Sequence, residues 1–180
     1  MKYDAFISYR HSELDRFVTE NLHKKLEAFR LPNSIIKQRG KDCKKKIERV
    51  FRDRDELPLA TNLADPITEA LTNSEFLIVI CSPRTPGSEW VAKEIDTFIS
   101  MHGREHVLAV LVEGEPDESF PPQLLVDDER NNVEPLAADV RGENRKQVRK
   151  KLKTEVVRLC APRFRLNVRM HRKWQKRLEL

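Results

Sequence analysis

Glycine is scarce in this chain of 180 residues, and the five glycines stand far apart, at positions 40, 87, 103, 114 and 142. The chain therefore contains neither a Gly-x-Gly-x-x-Gly turn nor a Walker loop, the two glycine-rich motifs that bring backbone amides close to phosphate groups. This absence argues against a dehydrogenase with a dinucleotide-binding fold and against a P-loop ATPase.

Cysteine is also scarce, with only Cys43, Cys81 and Cys160. An odd number of cysteines without Cys-x-x-Cys or Cys/His ligand spacing indicates neither a disulfide framework nor a zinc site. We expect a reduced, cytosolic protein that holds no metal and no cofactor. Cys81 ends an apolar run, so we expect its thiol to be buried and not to act as a nucleophile.

Long apolar runs are missing as well. No segment approaches the roughly 20 apolar residues that are needed to cross a bilayer. The first residues, Met1 to Asp4, lead directly into strand-like sequence, without the features of a signal peptide. We expect a cytoplasmic location, with any membrane contact made through a region beyond this chain.

The charge is distributed unevenly. Residues 141–180 hold 15 Lys and Arg against 3 acidic residues, a net charge of +12, whereas residues 1–140 carry −7. A basic tail is compatible with nucleic acid, with an anionic membrane surface or with a solvated helix. We favour the solvated helix and expect no nucleic-acid partner. Within the basic segment 141–177, the only aromatic residues that could stack on bases are Phe164 and Trp174.

The order of the predicted elements is strand, helix, strand, helix. We predict five strands, at 3–8, 47–51, 75–81, 106–112 and, at an edge because Pro135 cannot donate a hydrogen bond, 133–136. We predict helices at 12–30, 65–73, from 88 to about 102, and 143–162, and irregular segments at 31–46, 52–62 and 113–132.

This alternation favours a parallel sheet covered by helices on both faces. We predict an α/β, flavodoxin-like sheet of five strands in the order 2-1-3-4-5, which binds ligands beyond the carboxyl ends of its strands. Polar clusters follow three of those ends, at residues 8–11, 52–56 and 82–84. The sequence therefore predicts a binding site at this edge of the sheet.

The helix that begins near Ser88 borders the predicted site. Trp90 and Glu94 lie four residues apart on it, so an aromatic ring and a carboxylate occupy adjacent turns. Together they could hold a flat cationic ring and its sugar. The alternative is a partly buried core Trp90 beside a solvated Glu94, the usual state of such residues.

Two other kinds of site have weaker support. A phosphoryl-accepting receiver domain needs an aspartate at the end of the third strand, where this chain has Cys81 and Ser82. Asp53, Asp55 and Glu56 could bind a divalent cation, but their alternation with arginines favours mutual neutralisation.

Four motifs, in order along the chain, resemble those of Toll/interleukin-1 receptor (TIR) domains. Residues 4–9, Asp-Ala-Phe-Ile-Ser-Tyr, are similar to the first box of that family, and residues 49–59 resemble its second strand and BB loop. Residues 76–83 resemble the third strand with its Ser-Pro ending, and residues 88–95 the helix that carries the catalytic glutamate of NAD-cleaving TIR enzymes. The resemblance covers about residues 3–160. It is greatest to bacterial TIR proteins, with a TIR domain at 1–160 and a basic extension at 161–180.

The resemblance implies one of two functions. The first is an enzyme that cleaves NAD+ at the nicotinamide ribosyl bond, as glycohydrolase or cyclase, in bacterial defence signalling. Glu94 would be its catalytic residue, and the residues in contact with the substrate would be Tyr9, Arg10, His11, Leu57 and Trp90. The second is a non-catalytic module that assembles with other TIR domains, head to tail, through the BB-loop residues Arg54, Asp55, Glu56, Pro58 and Leu59.

Two departures from the family pattern and one further alternative complete the prediction. Leu57-Pro58-Leu59-Ala60 replaces a loop that often contains glycine, which stiffens it. His11 stands where NAD-cleaving relatives carry a second arginine.

A ribosyltransferase-like enzyme that acts on free nucleosides is a third alternative. It shares the architecture and a catalytic glutamate, but gives the BB loop no role.

Overall fold

A computed structural model describes residues 1–40, 42–52, 64–135 and 137–164. Its five strands form one parallel sheet in the order β2-β1-β3-β4-β5. The strands are β1 Tyr3–Ser8, β2 Val50–Arg52, β3 Ser74–Cys81, β4 Val107–Leu111 and β5 Ala137–Asp139. The predicted flavodoxin-like topology is confirmed.

Helices connect the strands and cover the sheet. They are α1 Glu13–Ala28, α2 Asn33–Arg39, α3 Ala64–Thr72, α4 Glu89–His102, α5 Pro116–Ser119, α6 Pro122–Leu125 and α7 Arg145–Arg163, with a 3-10 turn at Arg104–His106. In the described part of the chain, no helix is long and apolar enough to cross a membrane.

The core lies in two layers, one on each face of the sheet. Helices α1 and α7 pack on one face through Val18, Leu22 and Leu152. Helices α3 and α4 pack on the other face, where Ile95 and Phe98 are fully buried. Because crossovers place helices on both faces, β3 is apolar along almost its whole length rather than alternating.

Two predicted helix starts are confirmed by their capping residues. The Ser12 side chain accepts a hydrogen bond from the Asp15 amide at the start of α1, and the Ser88 side chain accepts one from the Val91 amide at the start of α4. Each serine satisfies an amide that has no partner within its helix. The Ser88 cap fixes where α4 begins, and therefore where Glu94 lies along this helix.

The fifth strand was predicted four residues too early. Asn132 pairs antiparallel with Val126, and the Val133 amide donates to the Leu125 carbonyl at 2.9 Å, so this segment bonds to its own neighbours. Among the described residues of this segment, pairing with β4 starts at Ala137, beyond the proline that cannot donate.

Two segments predicted as irregular contain helices. The basic segment 31–46 includes α2, which starts after Pro32, buries Ile35 and ends at Gly40, whose φ is 92°. The segment 113–132 includes α5 and α6, each of which begins with a proline at its first position. Proline is favoured there because its fixed φ suits a helix start and its missing N–H would be unpaired anyway.

The packed part of the chain continues past residue 160, where the domain boundary was predicted. Helix α7 runs to Arg163, and the buried Phe164 ring stacks on Phe29 with centroids 5.5 Å apart. Burial of an aromatic ring is the physical reason for the extension. Residues 53–63, which include the predicted BB-loop residues 54–59, and the tail 165–180 lie outside the described residues.

Candidate active site

Glu94 is buried at the carboxyl edge of the sheet. It lies on the inner face of α4 and is 4% exposed, and the Ser8 hydroxyl donates a hydrogen bond to its Oε2. Ser8 is the last residue of β1 and pairs with Val79 of β3, at the point where the strand order reverses. The carboxylate is therefore held at the position where such sheets bind their ligands.

Trp90 lies one turn before Glu94, and both side chains line the same cleft between α3 and α4. Trp90 is 36% exposed, which agrees with the partly buried position of the alternative interpretation. Glu94 is 4% exposed, so the solvated charge that the alternative predicted is wrong. The cleft holds about 30 Å³, enough for a water molecule or two but not for a nicotinamide ring.

The turn after β3 is built from two buried polar residues. The Ser82 amide donates to Thr85 Oγ1 and the Thr85 amide donates to the Ser82 carbonyl, both at 2.9 Å. Ser82 and Thr85 are 0% and 1% exposed. These bonds fix the backbone of the turn on both sides of Arg84.

Two arginines meet at this edge. Nη1 of Arg10, which follows β1, donates to the Arg84 carbonyl at 3.1 Å. Arg84 Nη2 donates to Glu113 Oε2 at 2.7 Å, and Glu113 follows β4. The loops after three neighbouring strands are thereby joined by guanidinium contacts.

A carboxylate lies buried near the arginines. Asp15, in the first turn of α1, is 0% exposed, and neither of its side-chain oxygens has a hydrogen-bond partner among the described residues. Burial raises its pKa to about 6, while Ser12 and the charges of Arg84 and Arg10 counteract part of that increase.

Tyr9 and His11 lie away from Glu94. The Tyr9 side chain belongs to the core on the α1 and α7 face, and the His11 ring stacks on it at a centroid distance of 4.5 Å. Glu94 lies on the opposite face, so the structure does not bring these two predicted substrate contacts to the carboxylate. Arg10, by contrast, is exposed at the edge.

The remaining predicted residues lie outside the described part of the chain. They are Arg54, Asp55, Glu56, Leu57, Pro58 and Leu59, together with Asp53 of the alternative cation site. Among residues 1–40, 42–52, 64–135 and 137–164, no three His, Cys, Asp or Glu side chains lie close enough to hold a metal. Cys81 is buried as predicted, and burial raises the pKa of its thiol well above the usual range.

Sequence reasoning missed the partner of Glu94 and one of the arginines. Ser8 and Arg84 were recognised only as members of polar clusters at strand ends. The contact between Ser8 and Glu94 joins residues 86 positions apart. The available signal was their shared position at the carboxyl ends of β1 and β3, which places them at the same edge.

Comparisons with known proteins give relatives of one kind. A sequence model of the TIR-like domain of the Thoeris protein ThsB matches residues 6–117, more than half of the chain. The protein named NAD(+) hydrolase ApTIR, from Actinoplanes sp., is 32% identical over 118 residues, which are 64% of this chain and 15% of that protein. The chain thus spans a small part of the length of this curated relative.

Similar solved structures have low sequence identity. The TIR domains of the activated Roq1 resistosome, in complex with the pathogen effector XopQ, are 16% identical with a TM-score of 0.43, covering 86% of this chain and 83% of that one. A flavodoxin-like domain from Synechococcus is 14% identical (TM-score 0.49; 89% and 99% covered), and a prokaryotic SEFIR domain is 16% identical (0.49; 87% and 92%).

The family match includes the strands β1, β2, β3 and β4 and the helix that carries Glu94. The order of strands and the motifs at their ends agree with it. This chain belongs to the TIR-like domain family.

Proposed function

We propose that this domain cleaves NAD+ at the bond between nicotinamide and ribose, with Glu94 as the catalytic carboxylate. The observation that carries the proposal is the buried Glu94, bonded by Ser8 at the switch point of the sheet, with Trp90 on the same cleft. The relative named an NAD(+) hydrolase supports the same reaction.

Cleavage of the nicotinamide ribosyl bond requires mainly a fixed negative charge beside the ribose. Nicotinamide leaves as a neutral molecule, so positive charge develops on the ribose as an oxocarbenium ion. A buried carboxylate beside the ribose stabilises that charge more strongly than an exposed one, because water does not screen it. Carboxylates perform the corresponding task in glycoside hydrolysis.

The neighbours of Glu94 have separate tasks in this proposal. The Ser8 hydroxyl donates to Oε2 and therefore fixes the orientation of the carboxylate. Trp90, which is 36% exposed, offers a flat apolar face for the nicotinamide ring at the entrance. Water then captures the ribosyl cation to give ADP-ribose, or an atom of the same molecule captures it to give a cyclic isomer.

Assembly of several domains is the second candidate function, and it rests on the family resemblance. Head-to-tail association through residues 52–62 would use a heterologous interface, and an interface of this kind repeats along an array. The same association without chemistry would make the domain an interaction module. A role in defence signalling rests on the family resemblance alone.

The test is NAD+ turnover by concentrated protein, compared with that of Glu94→Gln. Glutamine keeps the shape but removes the charge, so we expect turnover to fall by at least about a hundredfold, with folding retained by circular dichroism. Glu89→Gln is the matched control, because Glu89 is exposed in the first turn of the same helix. Chromatography of the products separates ADP-ribose from a cyclic isomer.

Two results would contradict the enzymatic proposal. One is the absence of nicotinamide release even when the protein is crowded or tethered into arrays, which leaves the interaction module. The other is a Glu94→Gln variant that is folded and as active as the Glu89→Gln control.

A further inference from the structure

The cleft beside Glu94 has the dimensions of a water site. It holds about 30 Å³, and a polar site needs roughly 10–15 Å³ to hold one water molecule. A cavity of this size with apolar walls alone would stay dry, but here Glu94 forms part of the wall. Two of the other lining residues, Thr68 and Lys93, are exposed, so water enters the cleft from the solvent.

A threonine from each helix lines this cleft. Thr97 lies one turn after Glu94 on α4, and Thr68 lies on α3. Within the described part of the chain, neither threonine hydroxyl is hydrogen-bonded, although the carbonyls of Thr97 and Thr68 accept bonds from the Ser100 and Thr72 hydroxyls, respectively. Each hydroxyl can therefore donate one hydrogen bond to water and accept others.

The rest of the wall leaves these groups as the partners of a bound water. Ile67 and Leu71 of α3 are 5% and 2% exposed and have no polar side-chain atom. A bound water needs about two to four polar partners, and the Glu94 carboxylate and the hydroxyls of Thr68 and Thr97 supply three. Because an ionised carboxylate only accepts hydrogen bonds, a water held here turns a hydrogen toward Glu94.

We propose that this cleft supplies the water that captures the ribosyl cation, and that Thr97 and Thr68 are positioning residues which hold this water. The inference rests on the proposed function, because it takes the ribose beside Glu94 as its starting point. Ser8 already donates to Oε2 of Glu94, but an ionised carboxylate accepts several hydrogen bonds, so water and Ser8 bind to it at the same time.

Capture of the cation by this water gives ADP-ribose in a balanced step. Nicotinamide leaves with the electron pair of the bond between its nitrogen and the ribose. The oxygen of the cleft water then forms a bond to the anomeric carbon, and one proton of this water passes to Glu94 and from there to solvent. The carboxylate returns to its ionised state.

The size of the cleft makes this step selective for water. Water fits into about 30 Å³, whereas a pyridine ring or the adenine of the same molecule does not and reaches the cation by another route. The fraction of cations that water captures therefore depends on how well the cleft holds water. Loss of either hydroxyl changes the ratio of products, whereas general damage to the fold lowers all products together.

Competition between water and thionicotinamide measures this fraction. Thionicotinamide captures the cation to give the thio analogue of NAD+, which chromatography separates from ADP-ribose and from a cyclic isomer. Thr97→Val keeps the shape of the side chain but removes its hydroxyl, so we expect the ratio of ADP-ribose to the other products to fall by about threefold to tenfold. We expect a similar decrease for Thr68→Val. An unchanged ratio in both variants overturns the inference, as does an unmodified protein that forms no ADP-ribose.

Two matched variants separate the hydroxyl groups from helix packing. Thr97→Ser keeps the hydroxyl, so we expect the product ratio of the unmodified protein. Thr72→Val removes a hydroxyl from the next turn of α3, which donates to the Thr68 carbonyl and is not among the described groups that line the cleft. We expect the unmodified ratio here too. An equal decrease in the Thr72 and Thr68 variants would show an effect of packing and would contradict the inference.

A crystal structure that shows ordered water separates this inference from the proposed function. If a water bridges Glu94 and Thr97 and is lost in Thr97→Val, but no nicotinamide is released from NAD+, the water site stands and the cleavage proposal fails. If nicotinamide is released while the cleft holds no ordered water and the product ratio is unchanged in the threonine variants, the cleavage proposal stands and the role of the threonines is wrong.

Discussion

Two buried aspartates at opposite edges of the sheet differ in how well they are paired. Asp4, at the amino edge, accepts hydrogen bonds from the Lys44 ammonium, from the Arg163 guanidinium at 3.0 Å and from the Glu48 amide at 2.7 Å. Asp15, at the carboxyl edge, is more deeply buried and has no such partner among the described residues.

The pKa values of the two groups differ accordingly. Burial alone would raise the pKa of Asp4, but the bonds from Lys44, Glu48 and Arg163 outweigh burial and lower it. For Asp15 burial dominates, and its pKa is raised to about 6. The amino edge thus contributes to folding stability, whereas the carboxyl edge keeps polar groups unpaired. Such exceptions to local satisfaction are expected at functional sites.

The largest effect on stability is expected at the amino edge. Asp4→Asn leaves Lys44 without its buried counter-ion and leaves Arg163 paired with Glu75, so we expect the free energy of unfolding to fall by about 3 kcal/mol. Urea unfolding at neutral pH measures it. The pKa of Asp4 is lowered on folding, so its contribution is present above pH 3.8 and is lost as the pH falls through the folded pKa. A loss that persists unchanged in acid would contradict the assignment.

At the carboxyl edge, we expect a substitution to increase the free energy of unfolding instead of lowering it. Asp15 has a folded pKa of about 6 against an ordinary value of 3.8, so ionisation destabilises the fold as the pH rises from 3.8 to 6. Asp15→Asn removes that charge, and we expect a stability gain of up to about 3 kcal/mol above pH 7. The difference from the unmodified protein should disappear near pH 4. Unfolding midpoints of the two proteins, measured above pH 7 and near pH 4, test this expectation. If Asp15→Asn lowers stability at both pH values, the carboxylate has a partner.

The smallest effect is expected from a pair of matched serines. Ser8 donates to Glu94 at the carboxyl edge, and Ser74 donates to the Ala70 carbonyl at the amino edge at 2.6 Å. Both serines are buried. We expect either alanine substitution to cost about 1 kcal/mol of stability, but only Ser8→Ala to reduce kcat/KM for NAD+, by about tenfold. Equal activity of the two variants would remove Ser8 from the site.

The carboxyl edge could be predicted from the sequence because its elements carry local signals. Apolar periodicity and the caps Ser12 and Ser88 gave β1, β3, α1 and α4 within a residue or two. The chain order of strands and helices then gave the topology, since right-handed crossovers leave few alternatives. The adjacency of Trp90 and Glu94 on α4 followed from helical spacing, whereas the catalytic role of Glu94 came from the family resemblance.

The fifth strand and α2 could not be predicted in this way. The β5 residues Ala137 and Ala138 have weak strand propensity and pair only because β4 leaves an open edge beside them. In α2, seven residues with mostly polar side chains form a helix because Ile35 is buried in the core. Tertiary packing overrides propensity in both elements.

The sequence by itself determined the family, the order of the sheet and the edge at which polar residues gather, because these depend on patterns within each element. Only the tertiary structure decided which polar groups meet at the two edges of the sheet. Ser8 and Glu94 are 86 positions apart, Arg10 and Arg84 are 74 apart, and Asp4 and Arg163 are 159 apart. No local period encodes such pairs, since they arise when separate strands and helices pack against one sheet.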